Sequence, residues 1–411
     1  MSERYFQHSY SNGLTLLGEK MPGMQSAAMT LLVPAGAASD PPEASGAGAV
    51  LSDLLFRGAG PRDSRQLTDY LDSLGLQRSS NVGVHHMRFG CAAVADKVVE
   101  ALGAYADVVR RPHLPEDGFR AARELALAAL AGLEDEPRQK VMVLLRERHF
   151  PWPLGRNTMG RKQELENLTL ECCRAHFGRM FQPRGTILAV AGNIDFARLR
   201  DEVERHFGDW TGQEPAALEL RPPPGRFHHE QHASEQTHIG LAYPSIEETH
   251  PDYYAMRLAV EALGGGMSAR LFTEIREKRA LVYNVWAGYS SLKGYGSIMG
   301  YAGTSNDRAQ ATLDTFIVEL HRLAEGIAAD ELERARIGLK ASTIMQGEST
   351  SARAGAIAHD FFMRGRIRTL DEIKNAIDAV SLDQVNDYLR RNRPGEMTIV
   401  TVGPTPLRMG G

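Results

Sequence analysis

The chain has 411 residues, of which 43% are hydrophobic and 24% charged, values that predict a globular protein of two or more domains. Its net charge of −4 and the absence of a Lys/Arg block argue against a nucleic-acid partner. The sequence has neither an apolar run of about 18 residues nor a signal-peptide core. We therefore expect no membrane segment and a cytoplasmic location, or a periplasmic one if a leader has been removed.

Strand and helix patterns fill the first half of the chain. Apolar, β-prone runs predict strands at residues 14–17, 27–33, 88–94 and 186–191. Helical periodicity predicts helices at residues 46–56, 64–74, 98–109, 116–133, 138–150 and 196–207. The helices at 116–133 and 138–150 form a hairpin that is broken at the sequence EDEP.

A proline-rich stretch near the middle of the chain predicts a linker. It contains Pro215 and the run Pro222 to Pro224. We therefore expect an N-terminal domain at residues 1–212, a linker at 213–224 and a C-terminal domain at 225–411.

The same order of elements recurs after the linker. The predicted strands lie at residues 237–243, 297–301 and 397–402, and the predicted helices at 252–263, 308–323 and 330–345. We expect strand 237–243 to lie at a sheet edge, where an extended peptide could pair with it.

Two local sequence matches indicate a duplication. FRAAR at residues 119–123 resembles LERAR at 332–336, and TILAVAGN from Thr186 resembles MTIVTVGP from Met397. Both pairs are separated by about 210 residues, as two copies of one domain would be. The predicted fold class is α+β: two homologous domains, each an antiparallel-rich β-sheet covered by helices.

The most informative stretch is GGGMSARLFTEIREKRALVYNVWAGY, residues 264–289. Gly264, Gly265 and Gly266 favour a tight turn or a close approach by an extended ligand. A helix is expected from about Ser268 to Lys278, followed by a strand at 281–285.

That helix and that strand carry Arg276 and Tyr283, whose guanidinium and phenol groups could hold a carbonyl oxygen or a carboxylate. Composition alone favours the simpler interpretation, in which Arg276 is a surface charge at a helix end and Tyr283 a half-buried strand residue.

The residue types that bind metals are sparse. Cys91, Cys172 and Cys173 form neither a C-x-x-C site nor a disulfide framework. The nearest approach to a metal cluster is HHEQH at residues 228–232, in which His228, Glu230 and His232 would share one face of a strand. It follows the linker directly, and a solvated strand or adventitious metal binding explains it as well.

Taken in order, these motifs resemble a known family. The helix ending in LLFRG, the hairpin broken at EDEP, then AVAGNID and GGGMSARLFTEIREKRALVY resemble the pitrilysin/insulinase family of zinc peptidases. They are most similar to its short bacterial members, which are related to the mitochondrial processing peptidase. The resemblance covers nearly the whole chain.

The resemblance implies a zinc site that this chain lacks. Active members carry H-x-x-E-H on the first helix and a further glutamate on the hairpin, to bind zinc and activate water. Alignment on LLFRG puts Ala49 and Asp53 at the histidine positions and Ser52 at the glutamate position. Alignment on EDEP puts Ala128 and Ala129 where the distal glutamate should fall. We therefore expect no metal bound by this chain.

The resemblance also implies a role for Arg276 and Tyr283. In active relatives an arginine and a tyrosine of the C-terminal half bind the substrate backbone and stabilise the oxyanion, and I-R-E-K-x-x-L-x-Y is retained here, with Ala280 where a glycine is common. The hypothesis is a non-catalytic subunit of a heterodimeric zinc endopeptidase, with zinc in a homologous H-x-x-E-H partner.

Two alternatives remain. One is an inert structural or peptide-binding homologue that forms a homodimer or scaffold. The other is autonomous hydrolysis through an unrecognised site, but the sequence shows no recognisable Ser/His/Asp or Cys/His catalytic motif.

Overall fold

The computed structural model of the chain describes residues 4–213 and 216–408. The elements of residues 4–213 are β1 (Tyr5–Ser9), β2 (Thr15–Lys20), β3 (Ser26–Val33), α1 (Ala47–Leu54), β4 (Gly58–Ala59), β5 (Arg62–Asp63), α2 (Ser64–Ser73), β6 (Gln77–Val82), β7 (Met87–Val94), α3 (Ala95–Arg110), α4 (Glu116–Gly132), α5 (Pro137–His149), α6 (Lys162–Asn167), α7 (Leu170–Met180), β8 (Ile187–Gly192) and α8 (Phe196–Phe207).

The elements of residues 216–408 are β9 (Phe227–Gln231), β10 (Gln236–Ser245), α9 (Tyr253–Gly264), the π-helical segment Phe272–Glu277, β11 (Asn284–Leu292), β12 (Tyr295–Ser305), α10 (Ala309–Arg322), α11 (Ala329–Gly347), α12 (Thr350–Arg364), α13 (Leu370–Asp378), α14 (Leu382–Arg391) and β13 (Thr398–Gly403). Sequence patterns do not predict β1, β4, β5, β6, α6 or α12 to α14. None of the helices in the described ranges combines the length and apolar character needed to span a bilayer.

The chain forms two compact units. The N-terminal unit comprises Met1–Gly132, Trp152–Leu220 and Gln346–Ile367, and the C-terminal unit comprises Leu133–Pro151, Arg221–Met345 and Arg368–Gly411. Each unit has its own sheet and its own hydrophobic core.

The two sheets have the same topology. The strand order is β1-β2-β8-β3-β7-β6 in the N-terminal unit, and β9-β13-β10-β12-β11 in the C-terminal unit. β2 pairs parallel with β8, and β9 pairs parallel with β13, whereas the other pairs in both sheets are antiparallel. The second sheet therefore repeats the first without its β1, and the predicted duplication is confirmed.

One helix of each half of the sequence belongs to the unit that is formed mainly by the other half. α4 and α5 correspond in order to α11 and α12, yet α12 packs on β3 and β8, and α5 packs on β10 and β13. Ile357 and Ala358 of α12 are buried against Leu17 and Ile187. The units thus differ from a single division at residues 213–224 by two exchanged helices, because each sheet needs its second face covered.

The expectation of an edge strand at residues 237–243 is wrong. β10 is hydrogen-bonded to β12 on one side and to β13 on the other. Both of its edges are used, so it cannot accept a further strand. The edges of this sheet are β9 and β11.

Candidate functional site

The turn that we expect at residues 264–266 starts later, at Gly266, whose carbonyl accepts a hydrogen bond from the amide of Ala269 at 3.1 Å. α9 continues through Gly264, and Gly265 caps it in right-handed helical conformation. A Cβ atom at Gly264 would lie 2.5 Å from the backbone nitrogen of Ala287, whereas one at Gly266 would meet nothing. Gly264 therefore lets α9 pack closely on β11, and only Gly265 and Gly266 are exposed.

The helix that follows is shorter and wider than predicted. Instead of an α-helix from Ser268 to Lys278, residues Phe272–Glu277 form a π-helix, a rare geometry that is common at functional sites. Strand β11 begins at Asn284 rather than at Leu281. Tyr283 therefore lies on the connection, immediately before the strand.

Backbone hydrogen bonds fold this connection back on itself. The amide of Ala280 donates to the carbonyl of Arg276 at 3.1 Å, and the amide of Leu281 donates to Ile275 at 3.0 Å. Ala280 has a φ of +50°, the left-handed conformation that glycine adopts without strain. The amide of Tyr283 donates to the carbonyl of Gly303 at 3.1 Å, which attaches the end of the connection to β12.

Arg276 and Tyr283 both point into solvent with their donor groups unused. Arg276 is exposed, and its guanidinium lies 4.7 Å from the centre of the Phe272 ring, a cation–π contact that leaves the N–H groups available. Tyr283 is 69% exposed. Among the described residues, none forms a hydrogen bond or ion pair with either side chain.

The neighbouring cations of the same segment are engaged. Lys278 and Arg279 bind the carboxylate of Glu274 at 2.7 and 2.8 Å, and Arg322 lies 3.8 Å from it. Hydrogen bonds from Lys278 and Arg279 lower the pKa of Glu274. The carboxylate of Glu274 is thus occupied by Lys278, Arg279 and Arg322. Arg276 does not bind it, and its guanidinium remains available for a ligand.

The positions that correspond to a zinc site cannot hold zinc. Asp53 accepts hydrogen bonds from the guanidinium of Arg57 at 2.9 and 3.2 Å, and the Ser52 hydroxyl donates to the carbonyl of Ala49 at 2.8 Å. Ala129, on α4, offers no ligand. One engaged carboxylate does not fit the three or four N, S or O ligands that zinc takes.

Over residues 4–213 and 216–408, no group of three or more His, Cys, Asp or Glu side chains is arranged to hold a metal ion.

The cluster of His228, Glu230 and His232, on and directly after β9, is bound by other residues of the chain. Glu230 binds Lys140 of α5 at 3.0 Å, and His228 lies 3.1 Å from Arg148. His232 contacts the carbonyl of Glu134 at 3.1 Å. Because each of these side chains already has a protein partner, the cluster serves to attach α5 to the sheet edge.

Sequence reasoning missed two residues that shape the site. Phe272 supports Arg276, and Glu274 binds the other cations. The spacing of four residues between Phe272 and Arg276, and between Glu274 and Lys278, was a usable signal, since such pairs meet on a helix.

Comparison with known proteins agrees with these motifs. Residues 15–162 match the family model "Insulinase (Peptidase family M16)", and residues 167–339 match "Peptidase M16 inactive domain". The uncharacterized zinc protease YmxG of Bacillus subtilis is 25% identical over 405 residues, which cover 97% of this chain and 98% of that protein.

Solved structures of similar fold extend over the whole chain. The structure titled as a peptidase M16 inactive domain from Pseudomonas fluorescens has a TM-score of 0.88 at 21% identity, covering 99% of both chains. A chain of Complex III2 from Candida albicans has a TM-score of 0.83 at 19% identity, covering 97% of this chain and 96% of that one. Together with the two matching models, these similarities confirm the resemblance seen in the motifs: the chain belongs to the pitrilysin/insulinase family of peptidases, as an inactive-type member.

Proposed function

We propose that this chain is the non-catalytic subunit of a two-subunit zinc endopeptidase. The observation that carries the proposal is the availability of Arg276 and Tyr283. Both side chains are exposed and, among the described residues, have no hydrogen-bond or ion-pair partner, whereas Lys278 and Arg279 beside them are bound by Glu274. A scaffold has no need to present two exposed side chains with unused hydrogen-bond donors from one short segment.

The same chain lacks the other half of a peptidase site. Ala49, Ser52, Asp53 and Ala129 stand at the ligand and base positions, and these four side chains supply neither a zinc site nor a base that activates water. In the proposal zinc is therefore held by a homologous partner that carries H-x-x-E-H, and this chain binds no cofactor of its own.

Each side chain has a defined task in the composite site. The guanidinium of Arg276 donates to a substrate carbonyl or carboxylate, for which its planar fork of N–H groups is suited. The hydroxyl of Tyr283 donates to the oxyanion that develops as the peptide bond is attacked, a contact typically worth about 10²–10³ in rate. Gly265 and Gly266 are both exposed, and Gly266, at which an added Cβ atom would meet nothing, leaves room for the backbone of an extended peptide.

The alternative is an inert homologue that binds peptides or serves as a scaffold. The absence of zinc-binding side chains at Ala49, Asp53 and Ala129 favours it, and a chain of Complex III2 from Candida albicans has a similar fold. It predicts a stable homodimer and no gain of activity with any partner.

Reconstitution distinguishes the two functions. The chain is purified alone and together with a homologous H-x-x-E-H chain from the same source, and cleavage of a quenched fluorescent peptide library is followed. We expect no cleavage by this chain alone and strong cleavage by a complex of the two. Cleavage by this chain alone with one bound zinc, or no activation of the partner by this chain, would contradict the proposal.

A further inference from the structure

The C-terminal unit contains a cavity of about 350 Å³ at the end of β10. This volume is at the lower end of the range of about 300–1,000 Å³ that is usual for small-molecule sites. Its apolar wall is contributed by the sheet and by helices α9 and α10, and comprises Ile246, Met256, Ile298 and Leu320.

Tyr243 lines this cavity with an unused hydroxyl. The residue is only 7% exposed, and no described residue forms a hydrogen bond with its hydroxyl group. Burial raises the pKa of Tyr243, so the phenol stays protonated and can act as a donor. The hydroxyl therefore offers one hydrogen bond to an acceptor that enters the cavity.

A second phenol lines the same cavity. The hydroxyl of Tyr388, on α14, lies 3.3 Å from the hydroxyl of Ser245, and burial raises the pKa of Tyr388. A phenol can donate one hydrogen bond and also accept. The hydroxyl group of Tyr388 or of Ser245 can therefore rotate to donate a hydrogen bond to an acceptor in the cavity.

The rim of the cavity is positively charged. Arg391 is bound by Asp252 at 3.0 Å, but Arg393 is exposed and has no ion-pair partner within the described part of the chain. An uncompensated guanidinium at the mouth favours an anionic ligand over a cationic one.

We propose that this cavity binds a small apolar carboxylate. The hydrocarbon part packs on Met256 and Ile298, the carboxylate accepts a hydrogen bond from Tyr243, and Arg393 contributes attraction from the rim. The same chemistry is offered by a free short-chain acid and by the carboxy-terminal residue of a peptide. The proposal is independent of the composite peptidase site, because none of its residues lies between positions 264 and 289.

Calorimetric titration of the full chain tests this site and identifies the source of the ligand. The probes are octanoate, octanol, and a pentapeptide ending in leucine with either a free or an amidated carboxy-terminus. We expect one site per chain for octanoate, for the acid peptide or for both, and at least about tenfold weaker binding of octanol and of the amide. Octanoate alone would assign a free acid, and the acid peptide alone would assign a peptide terminus.

Three variants locate the bound ligand. Tyr243→Phe removes only the hydroxyl and should weaken binding about tenfold, and Arg393→Gln should weaken it a few-fold and reduce its salt dependence. Tyr295→Phe, outside the cavity, should have no effect. No binding of either acid, equal binding of acid and amide, or unchanged affinity in both Tyr243→Phe and Arg393→Gln would overturn the proposal. Because Arg393 is exposed, Arg393→Gln should fold normally. It therefore tests the site even if Tyr243→Phe folds poorly.

Discussion

The carboxylate of Asp53 accepts two hydrogen bonds from the guanidinium of Arg57, one turn further along the chain. Asp53 stands where an active family member would carry a zinc-binding histidine, and its charge is compensated within the chain. The ion pair thus replaces a metal ligand with a salt bridge that is half exposed and contributes little to stability.

The first prediction concerns zinc itself. After incubation with zinc and desalting, the purified chain should retain no stoichiometric metal, and Arg57→Ala should not change this, because a lone carboxylate is a poor zinc site. Elemental analysis measures the ratio. One zinc per chain that disappears in Asp53→Asn would show that the position still functions as a ligand.

Ala280 predicts a stabilising substitution. Its φ of +50° costs an alanine about 1–2 kcal/mol, part of which the greater freedom of an unfolded glycine offsets. Ala280→Gly should therefore raise the free energy of unfolding by about 0.5 kcal/mol. Urea unfolding at constant pH measures the change.

Ala341 provides the matched control for Ala280. It is an exposed alanine within α11, so Ala341→Gly should lower the free energy of unfolding by about 1 kcal/mol. Equal destabilisation by the two substitutions would mean that the left-handed conformation of Ala280 carries no strain.

His149 should make the stability of the C-terminal unit depend on pH. It is buried between the hydroxyls of Thr398 and Ser297, at 3.1 and 2.8 Å. Burial, with the charges of Arg226 and Arg146, lowers its pKa to about 4, whereas the unfolded histidine titrates at about 6.5.

The sign follows from proton binding. Between these two pKa values the unfolded chain binds the proton more tightly, so stability is full above about pH 6.5 and is lost as pH falls toward 4. Between pH 7 and 4.5 the free energy of unfolding should fall less in His149→Gln than in the unchanged protein, by an amount on the order of 3 kcal/mol. Urea titrations at the two pH values measure both falls. His321→Gln, at an exposed position, should leave the dependence unchanged, and an unchanged slope in His149→Gln would refute the assignment.

Lys140 is predicted to matter far more than an ordinary surface lysine. Its side chain is 9% exposed and binds Glu134 at 2.5 Å and Glu230 at 3.0 Å. Burial disfavours the ammonium, but the two hydrogen bonds outweigh it and raise the pKa of Lys140.

Lys140→Met should lower the free energy of unfolding by about 1–3 kcal/mol, because it leaves Glu230 without its cation. The surface pair Lys97 and Glu100, each 43% exposed, is the comparison: Lys97→Met should change stability by less than about 0.5 kcal/mol. Similar small effects of the two changes would show that attachment of α5 does not depend on Lys140.

Local sequence patterns predicted most helices and strands. They did not predict which strands pair or on which sheet each helix packs. The apolar run of β8 and the periodicity of Leu199, Val203 and Phe207 in α8 determine those elements within the local sequence. Strand order is different, because the central position of β10 depends on pairing with β13, which lies more than 150 residues away. The exchange of α5 and α12 is equally invisible to periodicity, since either sheet could bury their apolar faces.

The candidate site shows the same division. The family motif predicted Arg276 and Tyr283 by residue type and spacing, and the structure adds that their donor groups are unused. Gly264 was misread as part of a turn, because its close packing against Ala287 is a contact between two elements that the sequence alone does not reveal. The Tyr243 cavity arises from the arrangement of three helices over a sheet and has no sequence signal.

The central claim is tested most directly by the turnover of the reconstituted complex with changes at Tyr283 and Arg276. Tyr283→Phe should lower kcat about 10²–10³-fold with intact complex formation, and Arg276→Ala should lower kcat/KM by a similar factor, through lost binding of the substrate backbone. Arg279→Ala, in the same segment as Arg276, and Tyr295→Phe, at the opposite end of the β11–β12 hairpin from Tyr283, change the same residue types and should retain activity. Full activity of the complex in both Tyr283→Phe and Arg276→Ala would contradict the account.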